Sequence, residues 1–358
     1  MKHALMLAEK GRGRTSPNPV VGAVIVKDGQ IIGEGWHQKC GENHAEINAF
    51  QNAQDRGESV EGAEMYVTLE PCSHYGRTPP CAKAIIEKKI KKTYIGLLDP
   101  NPLVAGRGVN MLKEAGIQVE TGILESECRG INEIFLKYIT KKRPFVVMKT
   151  AMTLDGKIAA HTGDSKWVSS EASRQMVQRM RNSLTGIMAG IGTVLADDPQ
   201  LTCRLAGGRD PIRIIIDSHL TIPLDAKVLK DENYVIAATE NCDLQKRRKL
   251  GERVLITRTK DDRVDLDHLM ELLGERGIDS ILLEGGGGLN EGALQAGIVD
   301  RVVTFISPKL IGGKDAKTPV EGRGFAAMSQ AIQLKDVEIA RSGEDLLVQG
   351  TLGQQAEE

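Results

Sequence analysis

The chain has 358 residues, 41% of them hydrophobic and 27% charged, enough to bury a large core and long enough for two domains. Its 47 basic and 48 acidic residues nearly cancel and aromatics make up only 3%, so it has neither the basic footprint nor the stacking rings of a dedicated nucleic-acid binder. The opening MKHALMLAEKG reads as a helix rather than a signal peptide and no apolar run reaches membrane-spanning length, so a soluble cytoplasmic protein is expected.

Hydrophobic periodicity sets out an alternating α/β chain. Residues 20–26 read as a strand, Asp28-Gly29 as a hairpin turn and residues 30–35 as the returning strand. HAEINAFQNAQ reads as a helix, EMYVTLE as a strand, CAKAIIEKKIKK as a helix and TYIGLL as a buried strand. The basic run and proline at Lys141-Lys142-Arg143-Pro144 mark a boundary, giving expected domains 1–142 and 143–358. A second α/β set follows. Its strands are PFVVMK, IRIIID, YVIAAT, RVLIT, SILLE and RVVTFI, with helices at 170–184, around 266–275 and in LNEGALQAG. No internal repeat is visible, and the tail LGQQAEE is expected to fray.

In a reducing compartment the six cysteines, at 40, 72, 81, 128, 203 and 242, argue for metal or chemistry before disulfides. His44, Cys72 and Cys81 form a one-nitrogen, two-thiolate set suited to zinc, and three protein ligands leave a fourth tetrahedral position for water. His44 and Glu46 are two residues apart, so they serve one site only from the first turn of a helix. Pro80 suits the first position of the next helix, and a helix start at Cys81 would favour thiolate there. Glu46, not needed as a ligand, is placed to move a proton from metal-bound water to a leaving amine. H-x-E followed by P-C-x-x-C is the general signature of nucleobase deaminases; here the second half is P-C-x8-C. Two other readings stand beside it: a closed structural site with Cys40 as fourth ligand, and ordinary core residues.

In the second part, Ile281-Leu282-Leu283-Glu284 runs into Gly285-Gly286-Gly287-Gly288, a strand-to-helix turn able to present backbone N–H groups to a phosphate. GIGTVLADDP offers a second glycine pair. Neither completes G-x-G-x-x-G, so the Rossmann fingerprint is absent. Asp155 in LDGK reads as a turn residue with no assigned role, and Trp167 alone reads as core packing.

TSPNPVVGAVIVKDGQIIGEGWH, HAE and TLEPCSHYGRTPPC together resemble the deaminase half of the bifunctional riboflavin-biosynthesis deaminase-reductases, within the cytidine-deaminase superfamily. The resemblance implies that Asn18 and His37 line a pyrimidine pocket, and that His74, Arg77, Asp99 and Asn101 contact the substrate and its ribose phosphate. RPFVVMKTAMTLDGKIA, TGDSKWVSS, GIGTVLADDPQLTCR, IRIIIDS, LLEGGGGLNEG and PKLIGG follow the reductase half in order, so the resemblance covers nearly the whole chain. It implies a cytidine-deaminase-like αβα N-terminal domain and a dihydrofolate-reductase-like C-terminal domain. It places NADPH against Ala151, Trp167, Thr193, Asp197, Ser218, Gly286, Gly287, Gly288 and Leu289, and substrate against Lys149, Ser165, Arg181, Leu201, Arg204 and Glu284. Arg181 and Arg204 are suited to clamp a sugar phosphate. The expected activity is zinc-dependent deamination of a diaminopyrimidinone ribosylamine phosphate followed by NADPH-dependent reduction of its ribosyl group, in a homo-oligomer. A nucleic-acid deaminase with an RNA-holding second domain and a zinc-stapled binding module are the alternatives.

Overall fold

The computed structural model describes residues 1–75, 79–101 and 105–353. The chain divides into two compact units, Met1–Lys142 and Arg143–Glu358.

The first unit contains α1 (Lys2–Glu9), β1 (Gly22–Lys27), β2 (Gln30–Trp36), α2 (Ala45–Asp55), β3 (Glu64–Leu69), α3 (Cys81–Glu87), β4 (Lys92–Leu97), α4 (Arg107–Glu114), β5 (Gln118–Thr121), α5 (Glu125–Ile131) and α6 (Glu133–Lys141). Its sheet runs β2-β1-β3-β4-β5, antiparallel at β1 and parallel from β3 to β5. Alternation along the strands makes three layers. Ala23, Ile25, Met65, Val67 and Ile95 bury with Ala49, Phe50, Ile85 and Leu112 of α2, α3 and α4, whereas Val24 faces Ala4 and Leu7 of α1. A Cβ on Gly35 would run into the backbone of Ala45 and Ala49, so glycine there lets α2 lie flush on β2.

The helix CAKAIIEKKIKK is shorter than its sequence suggests, ending at Glu87. Lys89 takes a left-handed conformation (φ +54°), its N–H donates to Ile86 O, and the N–H of Ile90 donates to Ile85 O. That is a Schellman close, made by lysine where glycine is usual, which swings Ile90 into the core.

The second unit contains β6 (Phe145–Thr153), α7 (Glu171–Ser183), β7 (Gly186–Gly190), α8 (Ile191–Asp197), β8 (Ile212–Ile216), β9 (Tyr234–Ala238), α9 (Leu244–Leu250), β10 (Val254–Ile256), β11 (Thr259–Lys260), β12 (Arg263–Val264), α10 (Leu266–Glu275), β13 (Ser280–Leu283), α11 (Gly287–Gln295), β14 (Arg301–Ser307), β15 (Leu334–Ser342) and β16 (Asp345–Leu352). Its nine-stranded sheet runs β10-β9-β8-β7-β13-β6-β14-β16-β15. Neighbours from β10 to β14 are parallel, and β14-β16-β15 are antiparallel. One face packs Val146, Met148, Met188, Ile214 and Leu283 against Leu269, Met270 and Leu273 of α10. In such sheets ligands bind beyond the carboxyl ends of the strands, where β7 and β13 turn into α8 and α11. The β15–β16 hairpin has no counterpart in the sequence reading. Nearly every residue of β15 is exposed, so it carries no apolar alternation.

Candidate active sites

Three chain segments converge on the first cluster. His44 is the N-cap of α2, Cys81 is the first residue of α3, and Cys72 lies in the loop after β3. His44 Nδ1 is 3.6 Å from Cys72 Sγ and 3.4 Å from Cys81 Sγ, and all three ligand atoms lie within 4.8 Å of one another. Ligands about 2.0–2.3 Å from one tetrahedral ion sit roughly 3.3–3.8 Å apart, so the cluster fits a zinc ion. Cys40 is exposed and outside this cluster, which leaves the closed four-ligand reading without its fourth member among the described residues.

The electrostatics correct one expectation. Pro80 is the N-cap of α3 rather than its first residue, and the N–H of Cys81 donates to Cys72 Sγ at 3.2 Å. The helix start therefore favours thiolate at Cys72. Contact with the Cys81 side chain, then His44 and the Cys81 amide, pulls the Cys72 thiol well down, against its burial. Cys81 moves the other way: its thiol is pushed up by Cys72, then by burial and Glu46.

Glu46, in the first turn of α2, is 3% exposed and lines a cleft of about 360 Å³ together with His44 and Cys72. Burial pushes its carboxyl up to about 7. That suits a group that must both accept and give a proton near neutrality. Asn18, His37, His74, Asp99 and Asn101 line the same cleft. The His37 Nδ1–H donates to Asn43 O at 3.0 Å, which leaves Nε2 to accept from Asn18 Nδ2 at 3.2 Å. Burial also lowers the His37 pKa, which favours the neutral ring. Burial raises the Asp99 carboxyl, whose Oδ1 accepts the Asn101 N–H at 2.9 Å. Arg77 lies outside the described residues.

Two groups in this unit escaped the sequence reading. Glu70, 4% exposed, accepts the backbone N–H groups of Asp99 (3.2 Å), Gly106 (3.0 Å) and Val109 (3.2 Å), fixing the loop that carries Asp99 and Asn101. The signal was a charged residue directly after a buried strand, masked by the Pro-Cys that follows. Asn132 holds both backbone groups of Val20, at 2.9 and 3.0 Å, beside the loop carrying Asn18. Phe135, Tyr138 and Lys142, from α6 and its end, complete the cleft wall.

In the second unit, Glu284 directly follows β13. Arg181 Nε and Nη2 donate to its two oxygens at 2.8 and 3.0 Å, and Lys149 Nζ is 3.6 Å away. Burial works to raise the Glu284 carboxyl, but Lys149 and Arg181 outweigh it and hold it at about 2. All three guanidinium nitrogens of Arg181, expected to clamp a sugar phosphate, are thus engaged within the protein, Nη1 donating to Thr202 O at 3.0 Å. Arg204 is exposed, its backbone N–H donating to Gln178 Oε1 at 2.8 Å. Leu201 is buried with φ +53°, and Ser165 is half-buried.

Several of the residues expected to meet the cofactor lie just beyond the carboxyl ends of β7, β8 and β13. Gly286 caps α11, and a Cβ on it would lie 3.9 Å from Thr193 Oγ1, so the starts of α8 and α11 lie side by side. A Cβ on Gly192 or Gly288 would meet open space, leaving both first turns with bare, approachable backbone. Gly287 is different: a Cβ there would strike the Glu321 side chain and Thr318 O. None of Gly285 to Gly288 has positive φ; close approach explains glycine at Gly285 and Gly287, where a Cβ would strike Asn290 and Glu321, but not at Gly286 or Gly288. Leu289 follows in the same turn of α11, Asp197 closes α8, and Ala151 lies on β6. Ser218, just beyond β8, accepts the Val264 N–H on its hydroxyl at 3.1 Å. Trp167 is 60% exposed beneath the Arg174 guanidinium, 4.5 Å from its ring centre, and so is not core packing. Two bare helix starts, an exposed indole and a buried acid–base pair on one sheet edge fit a nicotinamide cofactor.

Fold and sites define the class: a zinc-dependent deaminase of the cytidine-deaminase type joined to a dihydrofolate-reductase-like reductase that uses NADPH. Residues 1–97 match the cytidine and deoxycytidylate deaminase zinc-binding region, and residues 144–348 match the RibD C-terminal domain. The chain is 50% identical to riboflavin biosynthesis protein RibD of Actinobacillus pleuropneumoniae, covering 97% of this chain and 93% of that protein. It is 40% identical to that of Escherichia coli, covering 97% and 96%. Among solved structures, it superposes on the diaminohydroxyphosphoribosylaminopyrimidine deaminase/5-amino-6-(5-phosphoribosylamino)uracil reductase of Thermotoga maritima with a TM-score of 0.87 at 41% identity, covering 99% and 97%. On Acinetobacter baumannii RibD the TM-score is also 0.87, at 38% identity over 99% and 98%. The chain belongs to the RibD family of bifunctional riboflavin-biosynthesis enzymes. No helix among the described residues is long and apolar enough to cross a membrane.

Proposed function

We propose that the first unit deaminates 2,5-diamino-6-ribosylamino-4(3H)-pyrimidinone 5′-phosphate and that the second reduces the ribosyl side chain of the product to ribityl. The observation that carries this reading is the His44–Cys72–Cys81 cluster with buried Glu46 beside it. His44, Cys72 and Cys81 would hold zinc, which would supply the Lewis acidity that makes water a nucleophile at neutral pH. Glu46 takes a proton from the attacking water and gives one to the departing amine. One water is consumed, a carbonyl replaces the amino group, and ammonia leaves. Neutral His37 and Asn18 orient the pyrimidine edge, and Asp99, Asn101, His74 and Arg77 contact the remainder of the substrate.

In the second unit the cofactor supplies hydride, and the protein orients both partners. With hydride delivered to C1′ of the ribosyl group, the C1′–O4′ bond would break and the ring oxygen would take up a proton from solvent to become a hydroxyl. Lys149, held by Glu284, is placed to hydrogen-bond the ribose, and Arg181 keeps Glu284 ionised and aimed. Arg204 is the exposed cation left for the phosphate, with Ser165 and Leu201 shaping the substrate side. Ala151, Trp167, Thr193, Asp197, Ser218 and Gly286 to Leu289 receive NADPH.

The protein works in the cytoplasm as a homo-oligomer on a small molecule, without nucleic acid. Ammonia release and NADPH oxidation, followed together on the pyrimidine nucleotide, test the reading. Ammonia first and NADPH consumption only afterwards is the expected order. Ammonia from RNA with no nicotinamide oxidised would overturn it.

A further inference from the structure

We propose that Asp155 and Lys309 are positioning residues of the reductase site: together they fasten the Lys309–Gly312 loop to the end of β6 and to the Ser165–Val168 segment, setting the rim on which the nicotinamide cofactor docks. The proposal rests on the reading that the second unit takes NADPH.

β6 and β14 are parallel neighbours, with Thr153 paired to Ser307 at their carboxyl ends. The loops that follow them leave the sheet on its ligand-binding side. Asp155 lies two residues beyond β6. Its Oδ2 accepts the Gly312 N–H at 2.7 Å, both oxygens accept the Ile311 N–H at 3.3 Å, and Oδ1 accepts the Thr153 hydroxyl at 2.6 Å. Lys309 completes the fastening from the other strand. Its carbonyl accepts the Leu154 N–H at 2.9 Å, and its Nζ donates to Trp167 O at 2.8 Å and Val168 O at 3.1 Å.

These contacts lie at the surface, where such hydrogen bonds add little to folding stability. Their effect is local. Trp167 is tethered by its carbonyl to Lys309 while Arg174 stacks on its ring, so an exposed indole is held in one orientation before any ligand arrives. Ordering a large exposed side chain is unfavourable by itself and lowers the ordering cost of binding later.

The test uses the full-length enzyme with Lys309→Met, Lys309→Arg and Asp155→Asn. Lys309→Met and Asp155→Asn are expected to raise KM for NADPH about tenfold while changing kcat by less than about twofold, the signature of lost binding geometry. Lys309→Arg is expected to restore most of the loss, and ammonia release by the same chain stays unchanged. A second readout needs no cofactor. The chain has two tryptophans, so a Trp36→Phe background leaves Trp167 alone. Its fluorescence anisotropy is expected to fall in apo Lys309→Met and to recover in Lys309→Arg. Unchanged anisotropy, a loss confined to kcat, or deamination falling in step with reduction would each overturn the proposal. A wild-type enzyme that oxidises no NADPH would instead defeat the reductase reading, while the anisotropy comparison would still judge the clamp.

Discussion

Replacing Arg181 with methionine removes three hydrogen bonds, two to Glu284 and one to Thr202 O, with little loss of side-chain volume. Glu284, only 12% exposed, is left with Lys149 at 3.6 Å as counter-charge. Breaking one side of a buried pair costs about 3–5 kcal/mol, and the surviving lysine puts the expected loss near the lower end, about 3 kcal/mol. The carboxyl gives a scale for both cations together: its descent from 4.5 to about 2 under Lys149 and Arg181, at roughly 1.4 kcal/mol per tenfold step, corresponds to about 3 kcal/mol. Because the folded pKa is depressed, this stabilisation is complete above the unfolded carboxylate pKa and is lost as pH falls from about 4.5 towards 2. Urea-dependent hydrogen exchange in β13 and β7 measures it, with β1 and β3 as internal reference. The Arg181→Met deficit should be constant from pH 7 to about 5 and shrink below that. Adding Glu284→Gln should recover about 2 kcal/mol of it. A deficit under about 1 kcal/mol, or one spread equally over both units, would refute the reasoning.

Glu46→Gln is expected to retain zinc and to lower ammonia release by about 10²–10⁴-fold, with NADPH oxidation on deaminated substrate intact. Metal analysis beside the two assays checks it. Cys72→Ser, or treatment with a chelator, should remove zinc and stop deamination while leaving reduction; parallel loss of both activities would contradict the assignment. Glu70→Ala leaves three backbone N–H groups without their acceptor and should destabilise the first unit by about 3 kcal/mol while raising KM for the pyrimidine. Hydrogen exchange in the loop after β4 and deaminase kinetics report it.

The metal cluster was legible in the sequence because its chemistry is carried by residue type: histidine before a carboxylate at a helix start, then two cysteines, one in a loop and one opening a helix. Strands with strong apolar patterns, such as those around Ile214 and Leu282, were legible for the same reason. The β15–β16 hairpin was not, since its outer strand shows no buried face. The early end of α3 was hidden because Lys89, not glycine, takes the left-handed cap. Partnerships made at a distance were the least visible. Nothing in Arg181 or Glu284 alone announces that they pair across 103 positions, or that Glu70 is directed to three amides rather than to the metal.

X-ray absorption at the zinc edge tests the central claim most directly. The account predicts one zinc per chain bound by two sulfurs and the His44 nitrogen, with a further light atom, and the same spectrum in Cys40→Ser. A third sulfur, or zinc lost on changing Cys40, would mean a sealed structural ion and would contradict a working metal beside Glu46.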